Sequence, residues 1–521
     1  MTLMPAQVGL VIGRNPPTMD DGVPSQEEAG VNQDGRIQSG ALVGRSLLAG
    51  ILILGLPVLL QQILGATVGL VDKMLAGGLH EDVVLPAMDG LGVGAYVGWF
   101  IGIAMGGLGI GGQAIISRAI GRGDVREAEQ ALGQSMGISI VWGAFVAVMF
   151  WIFAPSLAAV CGLSGEAAVY LVEYVHVLAY SMPFCGLMMV GAMCLTGAGE
   201  TMRPALIALV VNLVNASSSW ILSGADLRLP GVVLSNDFGF DFGVAGIAAG
   251  TAIGYGVGGL LTLGLLFRGV QDLQLRLWLV LPVRAMIARV MRVGVPNFLE
   301  GLSMWSANLG VLTMIGIIAG REAQLAVTAA TGSGSLSEPT AGEGLAGAHI
   351  IAVQWESFSF LPGFAIGTAA AALAGQFLGA GNIAMARRAV YVCTAIAVVL
   401  MGSLGVVYML FGQPLTELIS TQTKHLGLVP QLLFICGITQ VFFAVSMVIR
   451  QALRGVGDTM WTFAITTFSC YGIRLPAAWL LGIVLEMGLV GVWIALCGEL
   501  IVRAALFFIR FLHGGWALRK V

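Results

Sequence analysis

Charge is scarce in this chain. Asp, Glu, Lys and Arg make up 10 % of its 521 residues, against 57 % hydrophobic residues, where soluble domains carry about 25 % charged residues. That excludes a soluble multi-domain protein and leaves an integral membrane protein. The net charge of −3 says nothing about nucleic acid, and with no basic tract in the chain nucleic acid is not expected as a partner. Cysteine is sparse and odd in number: Cys161, Cys185, Cys194, Cys393, Cys436, Cys470 and Cys497 lie almost all in apolar runs. They read as small buried hydrophobes, not as a disulfide framework or a metal site. With only five histidines and none placed beside a nucleophile, an intramembrane hydrolase is not expected. Neither is a cofactor. GLGIGG (107–112) and GQSMG (133–137) match nucleotide-binding and nucleophile-elbow patterns, but both fall in apolar spans without the strand–turn–helix context those motifs need.

What the chain does have is apolar length. Stretches able to cross about 30 Å of hydrocarbon fall at 48–72, 90–115, 132–155, 170–195, 204–223 and 244–267. A second set falls at 285–319, 347–373, 389–411, 429–451, 461–484 and 488–511. Lipid offers no partner to an unpaired peptide group, so an all-α protein with twelve transmembrane helices is predicted. Nineteen of the 25 Lys and Arg residues lie at one face: the N-terminal tail, the loops around Arg118–Arg126, Arg203, Arg268–Arg292, Arg387/Arg388 and Arg450/Arg454, and the C-terminus. That bias places both termini in the cytoplasm of a multi-pass protein in the plasma (inner) membrane. Residues 1–47 are polar, with acids and no basic head before an apolar core, and are expected to be a mobile tail rather than a signal peptide.

The chain also repeats itself. LTGAGETM (195–202) returns as LRGVGDTM (453–460), an offset of 258, and SRAIGRGD (117–124) returns as GQFLGAGN (375–382) at the same offset. LGLPVLLQQ (54–62) answers VGVPNFLEG (293–301) at 239, so an insertion of 19 residues belongs to the Gly/Ser/Thr-rich stretch 321–346, expected to be a flexible external loop. FGVAGIAAGT (242–251) answers GLVGVWIALC (488–497). One six-helix unit is written twice: an N-lobe (48–267), an Arg-rich cytoplasmic linker (268–291), a C-lobe (292–511) and a short cytoplasmic tail (512–521). Two pseudo-symmetric lobes in the same orientation are related by an axis along the membrane normal, with a cavity between them.

Within the spans, Pro57 and Pro296 remove backbone hydrogen bonds and read either as hinges or as static kinks. Gly90, Gly94, Gly98, Gly102 and Gly106, and Gly246, Gly250, Gly254 and Gly258, are spaced by four and should let helices pack closely. Acids in a span must face protein or water. Of Asp72, Glu173, Glu300, Glu356 and Glu499, three break the repeat: Asp72 answers Val311, Glu300 answers Gln61 and Glu356 answers Gly98. A scaffold residue should persist in both copies, whereas a titrating one need exist only once. Asp72, about 22 Å beyond Pro57 at helical rise, reads as a coupling carboxylate or as an interfacial acid beside Lys73. Glu300 and Glu356 read as coupling or substrate-binding acids or as structural partners of Arg474. Glu499 reads as the structural partner of Arg503, four residues on.

These same residues carry a family resemblance. GLP opening the first helix, VDKMLAG at its end, SRAIGRGD after helix 2, GVAG opening helix 6 and LRGVGDTM after helix 10 resemble the multidrug and toxic compound extrusion (MATE) family, over roughly 48–511. The resemblance implies a secondary transporter, not an enzyme. It would export small organic compounds, cationic or amphipathic, in exchange for H⁺ or Na⁺ by rocking two lobes about a central cavity, and we expect it to act as a monomer in the bilayer. The resemblance favours Asp72 as the ion-coupling residue, with H⁺ or Na⁺ bound there, and supplies Asn215, Ser219 and Thr251 as neighbouring oxygen donors. Departures from the family pattern are Lys73 for threonine, Ser219 where an Asn or Asp is frequent, and Met304 and Phe443 where some members carry the acids of a C-lobe sodium site. The last two lean the coupling toward H⁺. The alternative is a lipid-linked-oligosaccharide flippase of the same superfamily, which would need basic residues such as Arg474 and Arg503 facing the cavity. A channel would need neither a coupling acid nor duplicated lobes.

Overall fold

The computed structural model describes residues 44–161, 163–229, 232–271, 273–333, 344–420 and 422–519. The expected N-terminal tail, up to residue 43, and the middle of the inserted loop lie outside them.

Fourteen helices make up the described chain: α1 (Leu47–Ala76), α2 (Glu81–Arg122), α3 (Val125–Val160), α4 (Gly165–Ala179), α5 (Met182–Gly197), α6 (Met202–Ser223), α7 (Gly243–Arg268), α8 (Arg284–Ser333), α9 (Leu345–Gly379), α10 (Ile383–Glu417), α11 (Thr423–Gly455), α12 (Thr459–Thr467), α13 (Leu475–Trp479) and α14 (Gly488–His513). A hairpin, β1 (Leu227–Leu229) and β2 (Val232–Leu234), joins α6 to α7. Eleven helical stretches are long and apolar enough to cross a membrane, and the pair α4 and α5, bent by 61° at their junction, makes a twelfth. α12 and α13 form one span, Thr459–Val484, interrupted by π-helical turns at Phe468–Arg474 and Leu480–Val484.

The repeat is visible as geometry. Asp124 Oδ1 accepts from Glu127 N at 3.0 Å to cap α3, and Asn382 Oδ1 accepts from Met385 N at 2.8 Å to cap α10, 258 residues on. In the repeated turn, Gly199 and Gly457 have φ of 89° and 81°, a conformation open to glycine without strain. The turn's two acids have diverged. Glu200 accepts from Met202 N and Arg203 N at the start of α6, whereas Asp458 holds Arg510 at 2.8 Å and Arg519 at 3.1 Å. The C-terminal residues are therefore docked: Trp516 stacks on Phe511 at 5.2 Å and donates to its carbonyl at 2.9 Å.

One expectation is corrected. The inserted loop does not start at 321, because α8 continues as a helix to Ser333. The linker is held to the first half: Gln134 on α3 donates to Leu279 O and Leu281 O and accepts from Val283 N, and α8 begins at Arg284. α1 also reaches across. Ile51 and Leu54 lie in a core otherwise built from α9, α10, α11, α12, α14, Val456 and Trp516.

The halves meet at the Arg-rich end about a pseudo-twofold. Ser117 of α2 packs on Gly375 of α9, its own counterpart at offset 258. A Cβ on Gly121 would stand 2.0 Å from Gln376 O, and one on Gly379 would stand 2.2 Å from Arg118 O, the equivalent contact reversed. Arg118 donates to Val456 O at 2.6 Å and Gln376 donates to Gly197 O at 3.1 Å. Each half thus sends a donor into the repeated turn of the other, which is the structural use of that repeat. Arg118 also donates to the Arg519 carbonyl. Toward the other end Gly65, Gly69, Gly98 and Gly102 have open space where a side chain would stand.

Candidate functional site: a buried carboxylate and two charged networks

The site in the first half is built by tight helix packing. Gly246, Gly250, Gly254 and Gly258 of α7 all face α6, and a Cβ on Gly250 would stand 2.1 Å from Ser219 Oγ. This close approach brings Asn215 and Ser219 onto Thr251. Asn215 Nδ2 donates to Thr251 Oγ1 at 2.8 Å and to Ser219 Oγ at 3.4 Å, and Ser219 donates to Ile247 O at 3.0 Å. In α2 the glycine expectation holds only in part: Gly90 and Gly94 pack on α4, but Gly98 and Gly102 do not pack.

Asp72 closes the cluster. It is 4 % exposed, and its Oδ2 accepts from Tyr174 Oη at 3.2 Å and, at the limit of a hydrogen bond, from Thr251 Oγ1 at 3.5 Å. Its Oδ1 and the Asn215 Oδ1 are buried without partners among the described residues. Lys73 is exposed on the other side of α1, as adjacent positions on a helix require, so it does not neutralise Asp72. The four residues expected to meet here do meet. Tyr174 was missed: it is a tyrosine on the buried face of α4, and only the fold brings it to Asp72. Oxygen donors surround a single carboxylate, and no group of three or more His, Cys, Asp or Glu suited to a metal occurs among the described residues. The arrangement suits one proton or one monovalent cation.

The second half holds two charged networks, and neither joins the acids to Arg474 in the way the spans suggest. Glu300 is fully buried and accepts from Arg454 Nε at 3.1 Å, Thr462 Oγ1 at 2.8 Å and Thr466 Oγ1 at 2.8 Å, with Arg454 Nη2 at 3.0 Å from its second oxygen. Arg474 and Arg503 both bind Glu499, Arg474 Nη2 at 2.9 Å and Arg503 Nη2 at 2.6 Å, and Ser469 donates to the same carboxylate. Glu499 is thus a partner of Arg503, as expected, and of Arg474 too. Both cations needed by a lipid-flipping reading are paired. Glu356 is half-buried, and its carboxylate has no hydrogen-bond or ion-pair partner among the described residues. Arg450 and Arg454, counted from the sequence as loop cations, belong to α11, with side chains 8 % and 12 % exposed. Replacing Glu300 by Gln should strip Arg454 of its counter-ion and destabilise the protein by about 3–5 kcal/mol, seen as a large fall in the unfolding midpoint in detergent. An unchanged midpoint would contradict this.

Pro57 and Pro296 are buried inside α1 and α8, which run through them as continuous helices. Along the seam of α8 with the α12–α13 span runs a polar ladder: Thr467 Oγ1 to Ser303 Oγ at 3.2 Å, Ser306 Oγ with Tyr471 Oη at 2.6 Å, and Arg474 Nη1 to Asn308 Oδ1 at 3.0 Å.

Two bundles of six spans, joined at one end and each with polar groups buried at membrane depth, define a membrane transporter of the two-lobe class. The MatE family profile matches residues 57–221 and 342–480, and the chain belongs to that family, the MATE transporters. The "Probable multidrug resistance protein NorM" of Thermotoga maritima is 27 % identical over 471 residues, 90 % of this chain and 93 % of that one. The "Multidrug export protein MepA" of Staphylococcus haemolyticus is 25 % identical over 268 residues, 51 % of this chain and 55 % of its own. Among solved structures, a MATE protein in the bent conformation superposes with a TM-score of 0.77 at 22 % identity, covering 90 % of this chain and 96 % of that one. A transporter of the wider superfamily from Pyrococcus furiosus also reaches 0.77 at 22 %, covering 91 % and 97 %. These structures share the fold.

Proposed function

We propose that this transporter exports small organic compounds, cationic or amphipathic, across the plasma membrane in exchange for H⁺, with Na⁺ as the alternative coupling ion. The observation that carries the reading is Asp72, a buried carboxylate with an unpartnered oxygen and no cation to neutralise it. A buried charge of that kind is costly unless a proton or a cation joins it. Neutralised, Asp72 is compatible with the packed cluster of Asn215, Ser219, Thr251 and Tyr174. Ionised, it favours a conformation of α1 that admits water. The bound ion thereby biases one lobe arrangement over the other, as coupling requires.

The Arg-rich end, where the lobes now touch, is the cytoplasmic end in this reading, and the present conformation is closed to the cytoplasm. Pro57 and Pro296 serve as hinges of the first helix of each lobe. Glu356, whose carboxylate has no hydrogen-bond or ion-pair partner among the described residues, is a second acid able to bind a proton or a substrate cation. Glu300, saturated by Arg454, Thr462 and Thr466, serves structure instead. The protein works as a monomer, each lobe being one rocking body.

The test uses proteoliposomes loaded with a fluorescent organic cation, with a pH gradient and then a Na⁺ gradient imposed at clamped membrane potential. Efflux that follows the pH gradient supports the reading. Efflux that follows Na⁺ alone reassigns the coupling ion, and no efflux under either gradient refutes export of this class of compound.

A further inference from the structure

Arg450 is a surplus cation. Its neighbour Glu300 is already saturated: each carboxylate oxygen has one contact to Arg454 and one to a threonine hydroxyl. Arg450 comes no closer to Glu300 than 3.8 Å. Its Nη1 instead lies 3.1 Å from the Met304 sulfur, a weak acceptor, and its Nε is buried with no partner. The side chain is 8 % exposed, so water does not replace the missing acceptors. A buried guanidinium with an idle N–H is a costly arrangement and a ready receptor for an anion.

The surroundings agree. The interior of the second half carries Arg450, Arg454, Arg474 and Arg503 against Glu300, Glu499 and the half-buried Glu356, an excess of cations. The Asp72 cluster of the first half holds no cation. Met304, half-buried and one turn along α8 from Glu300, covers the Arg450 guanidinium, and Ser303 and Ser306 of the polar ladder flank it in the α8 sequence. An unbranched thioether repacks readily, so a ligand at the ladder can reach the guanidinium by displacing it.

We propose that Arg450 binds an acidic group of the transported compound, so that amphipathic molecules carrying a carboxylate beside their cationic centre are a preferred substrate class. The proposal rests on the export reading and names its substrate more narrowly. Arg450 sets specificity through a direct charge-assisted hydrogen bond, with Met304 as its movable cover.

The experiment compares two dyes that differ in one group, a rhodamine free acid and its ethyl ester, by fluorescence anisotropy with the purified full-length protein. Wild type should bind the acid more tightly than the ester. Arg450→Met should weaken acid binding by about tenfold to a hundredfold, the range for a hydrogen bond to a charged group, and leave the ester within about twofold. Arg450→Lys, which keeps the charge and loses the fork, should retain part of the preference. Equal weakening of both dyes, checked against the unfolding midpoint, would assign Arg450 to structure and overturn the proposal. Lack of preference for the acid in wild type would overturn it as well. Export is scored separately in proteoliposomes: an Arg450-dependent preference without transport under any gradient would refute the export reading and leave the site standing.

Discussion

Asp72→Asn is expected to cut ion-driven efflux severely while leaving the protein folded. Asparagine keeps the size of the side chain and an oxygen for the Tyr174 hydroxyl, now 3.2 Å from Oδ2. What it loses is the ability to exchange a proton or hold a cation by charge. The carboxylate is buried beside an orphaned Asn215 oxygen, so its ionised form is disfavoured there, and neutralising it permanently does not strain the cluster. The unfolding midpoint should stay or rise, because a buried unpaired acid has been removed. Efflux driven by the coupling gradient should fall by about tenfold to a hundredfold, the size of a 1–3 kcal/mol coupling energy. Downhill binding of the dye should persist. Wild-type efflux from Asp72→Asn under the same gradient would remove Asp72 from the mechanism.

The second large effect is expected where the halves touch. A Cβ on Gly121 would stand 2.0 Å from Gln376 O, and one on Gly379 would stand 2.2 Å from Arg118 O. Both obstacles are backbone atoms, which cannot turn away as a side chain does. Gly121→Ala combined with Gly379→Ala should therefore wedge the Arg-rich end open. The bonds from Arg118 to Val456 O and from Gln376 to Gly197 O would break together, since the pseudo-twofold makes them one contact seen from two sides. About 5.5 kcal/mol inverts a 99:1 population, and two backbone clashes of this depth are enough to approach it. Spin labels on cysteines placed at the exposed Arg122 and Ile383, with the exposed Cys161 replaced by Ser, should move to longer distances. Efflux should fall because the state closed at this end becomes rare. Unchanged distances would mean that these contacts do not define the closed state.

Neither variant acts through the charged networks of α8, α11, α12 and α14, and this separates their effects. The Glu300 and Glu499 networks hold the second half together as a body. In the proposed mechanism a bound ion acts at the Asp72 cluster and a lobe movement acts at the α2–α9 contact.

Composition and repeat were enough to specify the architecture. Hydrophobic length and the absence of charge specify spans because lipid allows no unpaired backbone, and a repeat at a fixed offset specifies two equivalent halves. These are local or periodic signals, and they survive without knowledge of contacts. The sequence also singled out Asp72, Asn215, Ser219 and Thr251, because a buried acid and a recurring family pattern are both visible in one dimension. What the tertiary structure alone decided is which charge meets which. Arg450 and Arg454 look like loop cations in the sequence, yet α11 runs on to Gly455 and buries both near Glu300. Arg474 looked like the partner of Glu300 or Glu356 and binds Glu499 instead. Tyr174 reaches Asp72 across 102 positions. Pairing depends on the rotation of each helix about its axis and on which helices are neighbours. Those are set by the packing of the whole bundle, since in lipid a buried charge accepts whichever opposite charge the close-packed helices bring within reach.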